Sequence, residues 1–595
     1  QMLQKTKLNI LGKITAVTIL SAAAVFLLNT TDAKAETINV SSERIANTEA
    51  SYAIQDALNQ AEEKATDSNP YRVVVAPGTY ELSSALRIYS NTDLVLDGVT
   101  LTQDAGSTYT RNILKVGDQN DTHSGYYYKN ISIEGGTLDE QGNSATAIKA
   151  VHTQNFSMKN VTVQNTHNAH LMETAGVDGL TIENCTFKNQ LLDTKDVTYA
   201  YECIQLDIPV AKHIEGYLSE ALQTKNVKIN NCTFDNAPRG VGSHTTFLNV
   251  PFDNIQITNC KFSNMKSCAI QGMNWINCTI SGNTITNSPR GIAIYSVRDF
   301  GTFLPSTATA EGGVASSAPD TYVAPAKNQN INISKNTISC SGTDPYASYE
   351  PLAILLEGMN LTSASKKTSQ SDSVPAGDYF ISGAKVTDNT ITTHGHGIRF
   401  VDTKNSSITS NKITCTGKKG SPFYGIQLRE GSTSNSITKN SIINASTNGI
   451  YLNTKSSASS ISGNTVKSAG KYGIDIEQAS TTTISSNKIS SPAVNGIYIF
   501  SGSTVKTIKS NTITSAKKYG IGLDDSTVVD LIQSNTITKP ASNGINVYNK
   551  STAKKIVSNK ITSGEGFGIA IYSNSSKTKL KSNSIKSCKR GSTNM

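Results

Sequence analysis

Aromatic residues are scarce in this 595-residue chain, at 6% of the total, and tryptophan occurs once. Charged residues reach only 17%. Each shortage closes off a class of protein. With no aromatics interleaved among the basic residues there is no platform for stacking bases, so nucleic acid is not an expected partner. No pair of C-x₂-C motifs with zinc-site spacing occurs, and no dedicated calcium loop. No second long apolar run follows the one near the N-terminus, so no stable membrane insertion is expected of the mature chain.

What is present begins with that N-terminal run. Lys5, Lys7 and Lys13 precede apolar residues 14–28, and Asp32-Ala-Lys-Ala35 supplies small residues for cleavage. This is the pattern of a secretory signal peptide over 1–35, which predicts a secreted protein, free or associated with the cell wall. Nine cysteines in an exported chain invite a disulfide reading. Against it, Cys185, Cys232, Cys260 and Cys278 each follow an asparagine, and such recurrence predicts buried thiols in a stacked core.

The net charge of +9 is unevenly placed: residues 451–595 carry 19 Lys+Arg against 6 Asp+Glu, a local surplus of 13. That is either a solvated surface or an attraction for an anionic polymer such as a uronic-acid or cell-wall glycan.

Glycine, serine, threonine and asparagine are abundant, which suits short strands and tight turns. They fall into a repeat. Asn440, Asn464, Asn487, Asn511, Asn535, Asn559 and Asn583 each begin Asn-x-Ile/Val, in steps of 24, 23, 24, 24, 24 and 24 residues. Nine residues after the asparagines at 464–559 stand Gly473, Gly496, Gly520, Gly544 and Gly568, each followed by Ile. One set of short alternating strands per repeat is the signature of a parallel β-helix, an all-β solenoid whose asparagines form a ladder in one turn. The same pattern runs upstream less regularly, at Asn160, Asn184, Asn231, Asn283, Asn336 and Asn389. Residues 51–65 form the one convincing amphipathic helix, placed to cap the open end. The expected organisation is therefore a cap over 36–70, irregular coils over 71–439 and regular coils over 440–595. Insertions at 209–223, 301–329 and 359–378 all interrupt the irregular part, where ligand sites tend to gather.

These repeats, with Val75-Ala-Pro-Gly-Thr-Tyr80, resemble the right-handed parallel β-helix proteins of the pectin-lyase-like superfamily, over about 36–590. The opening is most similar to polygalacturonases, in Pro77-Gly-Thr-Tyr80, Ser90-Asn-Thr-Asp-Leu-Val-Leu-Asp97 and Gly135-Gly-Thr-Leu-Asp139. Tyr201-Glu-Cys-Ile-Gln-Leu206 resembles that family's aspartate-pair segment, with Glu202 at the second aspartate and Tyr201 at the first. The family's Asn-Thr-Asp and Arg-Ile-Lys motifs have no counterpart here, and Gly-His-Gly is only echoed by Gly242-Ser-His244. The fold hosts many chemistries, so activity must be argued from the site.

Stacking the coils places Glu202, Arg239, Cys268, Arg290, His396, Tyr424 and Asn448 in one column, just before the glycine. Asp207, His244, Tyr295 and Asn453 form another, four beyond it. Further down, the first column alternates asparagine and tyrosine. Its upstream part predicts a Glu202–Arg239 pair, an Asp207–His244 pair and Gln205 between them, with His170 (and more weakly His167, Glu173 and Asp139) extending the strip.

Two adjacent surface ion pairs would contribute little. The functional alternative makes Glu202, Asp207, Arg239 and His244 catalytic, and His170, Gln205, Arg290 and Tyr295 substrate-binding. Arg239 or Arg290 would hold a uronate carboxylate while His244, oriented by Asp207, removes the neighbouring proton. On a neutral glycan, Glu202 and Asp207 would instead be acid and base for hydrolysis. The resemblance and the carboxylates imply Ca2+ as a cofactor. The expected function is polysaccharide cleavage by a monomer, by lyase or hydrolase chemistry. The alternatives are a C5-epimerase and a non-catalytic adhesive solenoid in which Tyr472 and Tyr519 stack on sugars.

Overall fold

Each coil of the tail repeats one local grammar. In Asn511-Thr-Ile-Thr-Ser515, the strand Thr512–Thr514 turns Ile513 inward, and Ser510 and Ser515 sit in left-handed conformation at φ 55°. Ser486, Ser534, Ser558 and Ser582 hold the equivalent corner at φ 54° to 57°. Gly520 is required by close approach: a β-carbon there would lie 2.5 Å from Cγ2 of Ile537 and 2.7 Å from the carbonyl of Gly544.

The computed structural model describes residues 35–104, 111–193, 201–298, 301–324, 328–345, 350–363, 374–572 and 577–595. Among them, 52 strands join one sheet that winds through successive coils with parallel pairing. Ile484, Ile508, Ile532 and Ile556 stand in register and are buried, as are their counterparts along the axis. Burying such a side chain contributes about 1.5–3 kcal/mol, so the core is a continuous isoleucine stack. Pairing passes without a break from Lys412–Cys415 to Ser441–Ile443. The irregular and regular parts thus share one sheet.

The asparagine ladder is present. Nδ2 of Asn440 donates to Oδ1 of Asn464 at 3.0 Å, and the same bond recurs at 2.9–3.1 Å down to Asn583. Each Nδ2 also donates to a core-strand carbonyl, as Asn511 does to Ile484 at 3.0 Å. The ladder begins at Asn283 and continues through Asn336, Asn389 and Asn411.

Upstream the alignment differs from the expectation. Lys261 pairs with Thr284, so it is Cys260, not Asn259, that occupies the ladder position before Asn283. Cys185 and Cys232 precede it in the same stack, and the amide of Cys260 donates to Oδ1 of Asn283 at 2.9 Å. Their preceding asparagines (184, 231 and 259) instead take the left-handed corner. Cys278 is elsewhere, in register with Ile331. The cysteines are free thiols, and all but Cys588 are buried.

At the front, the strand Glu36–Val40 pairs with Tyr71–Val75, so the first coil starts within the expected cap. The helix Ala50–Lys64 buries Ala53, Ile54, Ala57, Leu58 and Ala61 against this end. The signal-peptide residues 1–34 lie outside the described residues. No helix among the described residues is long and apolar enough to cross a membrane.

Candidate functional site

The strands Glu202–Asp207, Thr233–Gly242, Lys261–Met273 and Arg290–Tyr295 lie side by side in successive coils. Pairing sets Glu202 beside Arg239, Arg239 beside Cys268 and Cys268 beside Arg290, as the column register predicted. The coil before them contributes His170 and Glu173, the latter in register with Gln205.

Glu202 is the hub. Its side chain is 0% exposed, and its carboxylate accepts from Nη1 of Arg239 at 3.3 Å and from Nδ1 of His244 at 3.0 and 3.3 Å. Burial pushes its pKa up, but His244, Arg239 and His170 outweigh that and hold it at about 2. The carboxylate in turn raises the pKa of His244 against the opposing effect of burial. With Nδ1–H given to Glu202, Nε2 is the accepting end of the ring. It lies 3.4 Å from Nε2 of Gln205, and the His244 side chain is 30% exposed.

His170 stacks on His244 with ring centroids 6.0 Å apart and packs edge-on to Tyr201 at 4.8 Å. Its Nδ1 donates to the carbonyl of Glu202 at 2.8 Å. Burial lowers its pKa, so it is neutral at pH 7.

The expected Asp207–His244 pair is not formed. Asp207 accepts from the hydroxyl of Thr245 and from the amide of Ile208 at 2.8 Å, and it is 1% exposed. Burial pushes its pKa up to about 7. Its side chain turns to the corner of the coil, leaving Glu202 to orient the imidazole.

Arg290 and Tyr295 do not join the Glu202 cluster. Arg290 donates to Tyr295 Oη at 3.0 Å and to Oε1 of Gln271 at 2.8 Å. His167 pairs with Asp193 at 3.1 Å, and Asp139 accepts from the amide of Gln141 and from the side chains of Gln164 and Asn165. In the tail, Tyr472 lies against Tyr498, ring centroids 4.5 Å apart, and is 9% exposed. It offers little face to a sugar.

The donor set does not fit a calcium ion. Both oxygens of Glu202 face cationic groups, and no group of three His, Cys, Asp or Glu among the described residues is arranged to hold a metal.

Basic residues line the face on both sides of this centre. Toward the N-terminus a cleft of about 790 Å3 is lined by Arg87, Arg111, Lys115, Lys149, Lys212 and His170. Toward the C-terminus a cavity of about 440 Å3 holds Arg290, Arg298, Arg399 and Arg429. Insertion 209–223 walls the first cleft, and the next insertion packs on it through Lys212–Glu311 at 3.3 Å and the His213–Phe303 ring contact at 5.1 Å.

Sequence reading missed Thr245, Arg298, Arg399, Arg429 and Glu357. A signal existed for two of them: Arg399 stands two beyond Gly397, and Arg429 stands four beyond Gly425, in the column of His244 and Tyr295.

The coil architecture, parallel pairing and capping helix define a parallel β-helix protein. A family model described as right handed beta helix region matches residues 141–300 and 495–594. Another, described as periplasmic copper-binding protein (NosD), matches residues 330–512.

A curated relative is "Plasmin and fibronectin-binding protein A" of Streptococcus pneumoniae (strain ATCC BAA-255 / R6), 24% identical over 281 residues. That match spans 41% of this chain and only 38% of the relative's length. Among solved structures, PfbA, a surface adhesin of Streptococcus pneumoniae, is 20% identical over 74% of this chain and 87% of its own, with a TM-score of 0.45. A tailspike protein mutant of E. coli bacteriophage HK620 in complex with pentasaccharide is 12% identical over 84% and 74%, with a TM-score of 0.43. At these scores neither likeness bears on function.

Proposed function

We propose that this protein acts outside the cell, binding an anionic polysaccharide along the basic face and cleaving it by elimination beside His244. One observation carries the reading: the buried Glu202 carboxylate holds Nδ1 of the partly exposed His244 and also pairs with Arg239, while Nε2 of the same ring lies beside the Gln205 amide. Arg239, 12% exposed, pairs with a uronate carboxylate and draws charge from the adjoining C5. Nε2 of His244 removes the C5 proton, the C4–O bond breaks, a C4=C5 double bond forms, and the departing oxygen takes a proton from water. Clefts lined by basic side chains on both sides of this centre support an anionic rather than a neutral chain.

Hydrolysis by Glu202 and Asp207 has less support. An acid must hold a proton near working pH and reach the glycosidic oxygen. Glu202 is held at about 2 and Asp207 is 1% exposed.

The test is incubation with polygalacturonate, alginate, glucuronan and a neutral glucan, following ultraviolet absorbance and new reducing ends together. Both should rise on one acidic substrate. Reducing ends without absorbance would mean hydrolysis, and uronate inversion without chain shortening would mean epimerisation.

A second reading, a non-catalytic surface adhesin, is favoured by the curated relative, whose name describes binding of plasmin and fibronectin. It predicts neither signal, together with saturable binding of the intact chain to immobilised plasmin or fibronectin.

A further inference from the structure

Beyond the Glu202 centre, the strands Arg290–Tyr295, Leu352–Glu357, His396–Val401 and Ile426–Arg429 continue the same face. Tyr295, Glu357, Val401 and Arg429 stack in register, and Leu355, Arg399 and Gln427 stack two residues away. Their side chains, with Arg290 and Arg298, enclose the cavity of about 440 Å3.

Its four guanidinium groups are held in place before any ligand arrives. Arg290 is fixed by Tyr295 and Gln271, and Arg298 lies over the Tyr295 ring at 4.8 Å. Nε of Arg399 donates to Gln427 at 2.8 Å while its Nη2 lies 2.6 Å from Nε2 of His396, and Arg429 pairs with Glu430.

Two of the four arginines already pair with carboxylates, Arg290 with buried Asp344 at 3.9 Å and Arg429 with Glu430, while Glu350 lies 3.1 Å from His396. Burial raises the pKa of Glu357 against the pull of the four arginines. His396 adds no positive charge, because burial and the neighbouring Arg399 and Arg429 hold it neutral, at about 2. The floor is apolar, formed by Leu352, Leu355 and Val401. Forked donors around an apolar floor suit a sugar ring that carries a planar or tetrahedral anion.

We infer that this cavity is a second binding centre, separate from the His244 centre, that takes a carboxylate- or sulfate-bearing sugar of the same polysaccharide chain. The inference rests on the glycan-binding part of the proposed function, not on cleavage. The Arg290 strand is two coils beyond the Arg239 strand and the His396 strand is four beyond it. The Arg429 strand is one coil further, so at ~4.8 Å per coil the cavity lies ~10–24 Å along the axis. A chain must extend that far to engage both centres, so affinity should depend on length.

The experiment measures Kd by calorimetry for the full chain with oligogalacturonates from dimer to octamer, a sulfated series from chondroitin sulfate, and neutral malto-oligosaccharides. The wild-type protein should bind the octamer at least tenfold more tightly than the dimer in one anionic series and in neither length of the neutral one. A response to oligogalacturonates shows that a carboxylate suffices, and a response to the chondroitin series alone, which carries uronate as well as sulfate, shows that sulfate is needed. In the double variant Arg298→Gln/Arg399→Gln, that ratio should fall to near one. Arg298→Gln alone, which removes only a guanidinium stacked on Tyr295, serves if the double variant does not fold.

An unchanged length ratio in a folded variant would overturn the inference, as would equal affinity for neutral and anionic octamers. Arginine-dependent binding with no ultraviolet product would leave this site standing and sink elimination. Elimination with an unchanged length ratio would do the reverse.

Discussion

The tail and the middle of this solenoid share one sheet and nearly one coil geometry, yet they use the same surface positions differently. Around Asn448–Asn543 the position before the glycine alternates asparagine and tyrosine, whose side chains bond or pack within the wall: Asn448 donates to Asp475 at 2.8 Å, and Tyr472 lies on Tyr498. Around Glu202–Arg290 the same position carries charge, and a buried carboxylate there faces arginine and histidine. Repetition makes a wall; departure from it, next to insertions, makes a site. The local charge surplus also reads differently in three dimensions. Lysines dominate the tail, but the clefts beside the candidate centre draw their basic residues from the middle and front.

The comparison breaks most sharply at His244. Replacing it by alanine should lower elimination by ~10²–10⁴-fold, the usual span for a general base, and should also lower the melting temperature, because the buried Glu202 carboxylate loses a partner. An equal loss from Asn448→Ala in the tail would dissolve the distinction between wall and site.

Glu202→Gln comes next. The base must be neutral, and Glu202 raises the pKa of His244. The wild-type rate should therefore climb as pH rises through a value above 6.5, and the variant's reduced rate should climb at lower pH. Stability gives an independent check. The folded-state pKa of Glu202 is depressed from 4.5 to about 2. Its contribution is thus present above pH 4.5 and is lost as pH falls toward 2, so acid should lower the wild-type melting temperature more than the variant's.

Breaking the tail should do the opposite. Asn511→Ala removes a donor to Ile484 and Asn535 and an acceptor for Asn487. It should cost ~1–3 kcal/mol, the penalty of leaving buried groups unpaired, while the cleavage rate at 25 °C stays unchanged.

The smallest expected effect is at Asp207. Its pKa is raised from 3.8 to about 7, so the stability it contributes is full below 3.8 and is lost as pH rises through 7. Asp207→Asn should flatten the decline in melting temperature between about pH 4 and pH 7.

Much of this was legible in the residues. The spacing from Asn440 to Asn583 specifies coil length and ladder, and the alternate isoleucines specify the core, because a stacked core repeats its own constraints. The column register also held: Glu202, Arg239, Cys268 and Arg290 are neighbours in space. What failed was finer than a column. Asp207 and His244 occupy neighbouring coils, but Thr245 and the Ile208 amide satisfy the aspartate, and His244 reaches across to Glu202. Rotamers, not register, make that choice. The cysteine alignment slipped by one because Cys260 takes the ladder place of Asn283, with its asparagine displaced to the corner. The arginine cavity was hidden because its parts come from four coils separated by insertions, across which register cannot be counted.

The most direct measurement is the ultraviolet and reducing-end time course on polygalacturonate, alginate and glucuronan, for the wild type and His244→Ala at matched folding. The account predicts a coupled rise of both signals on one acidic substrate and its near-complete loss in the variant. Coupled signals of equal size from both proteins would contradict it, as would reducing ends that appear without absorbance.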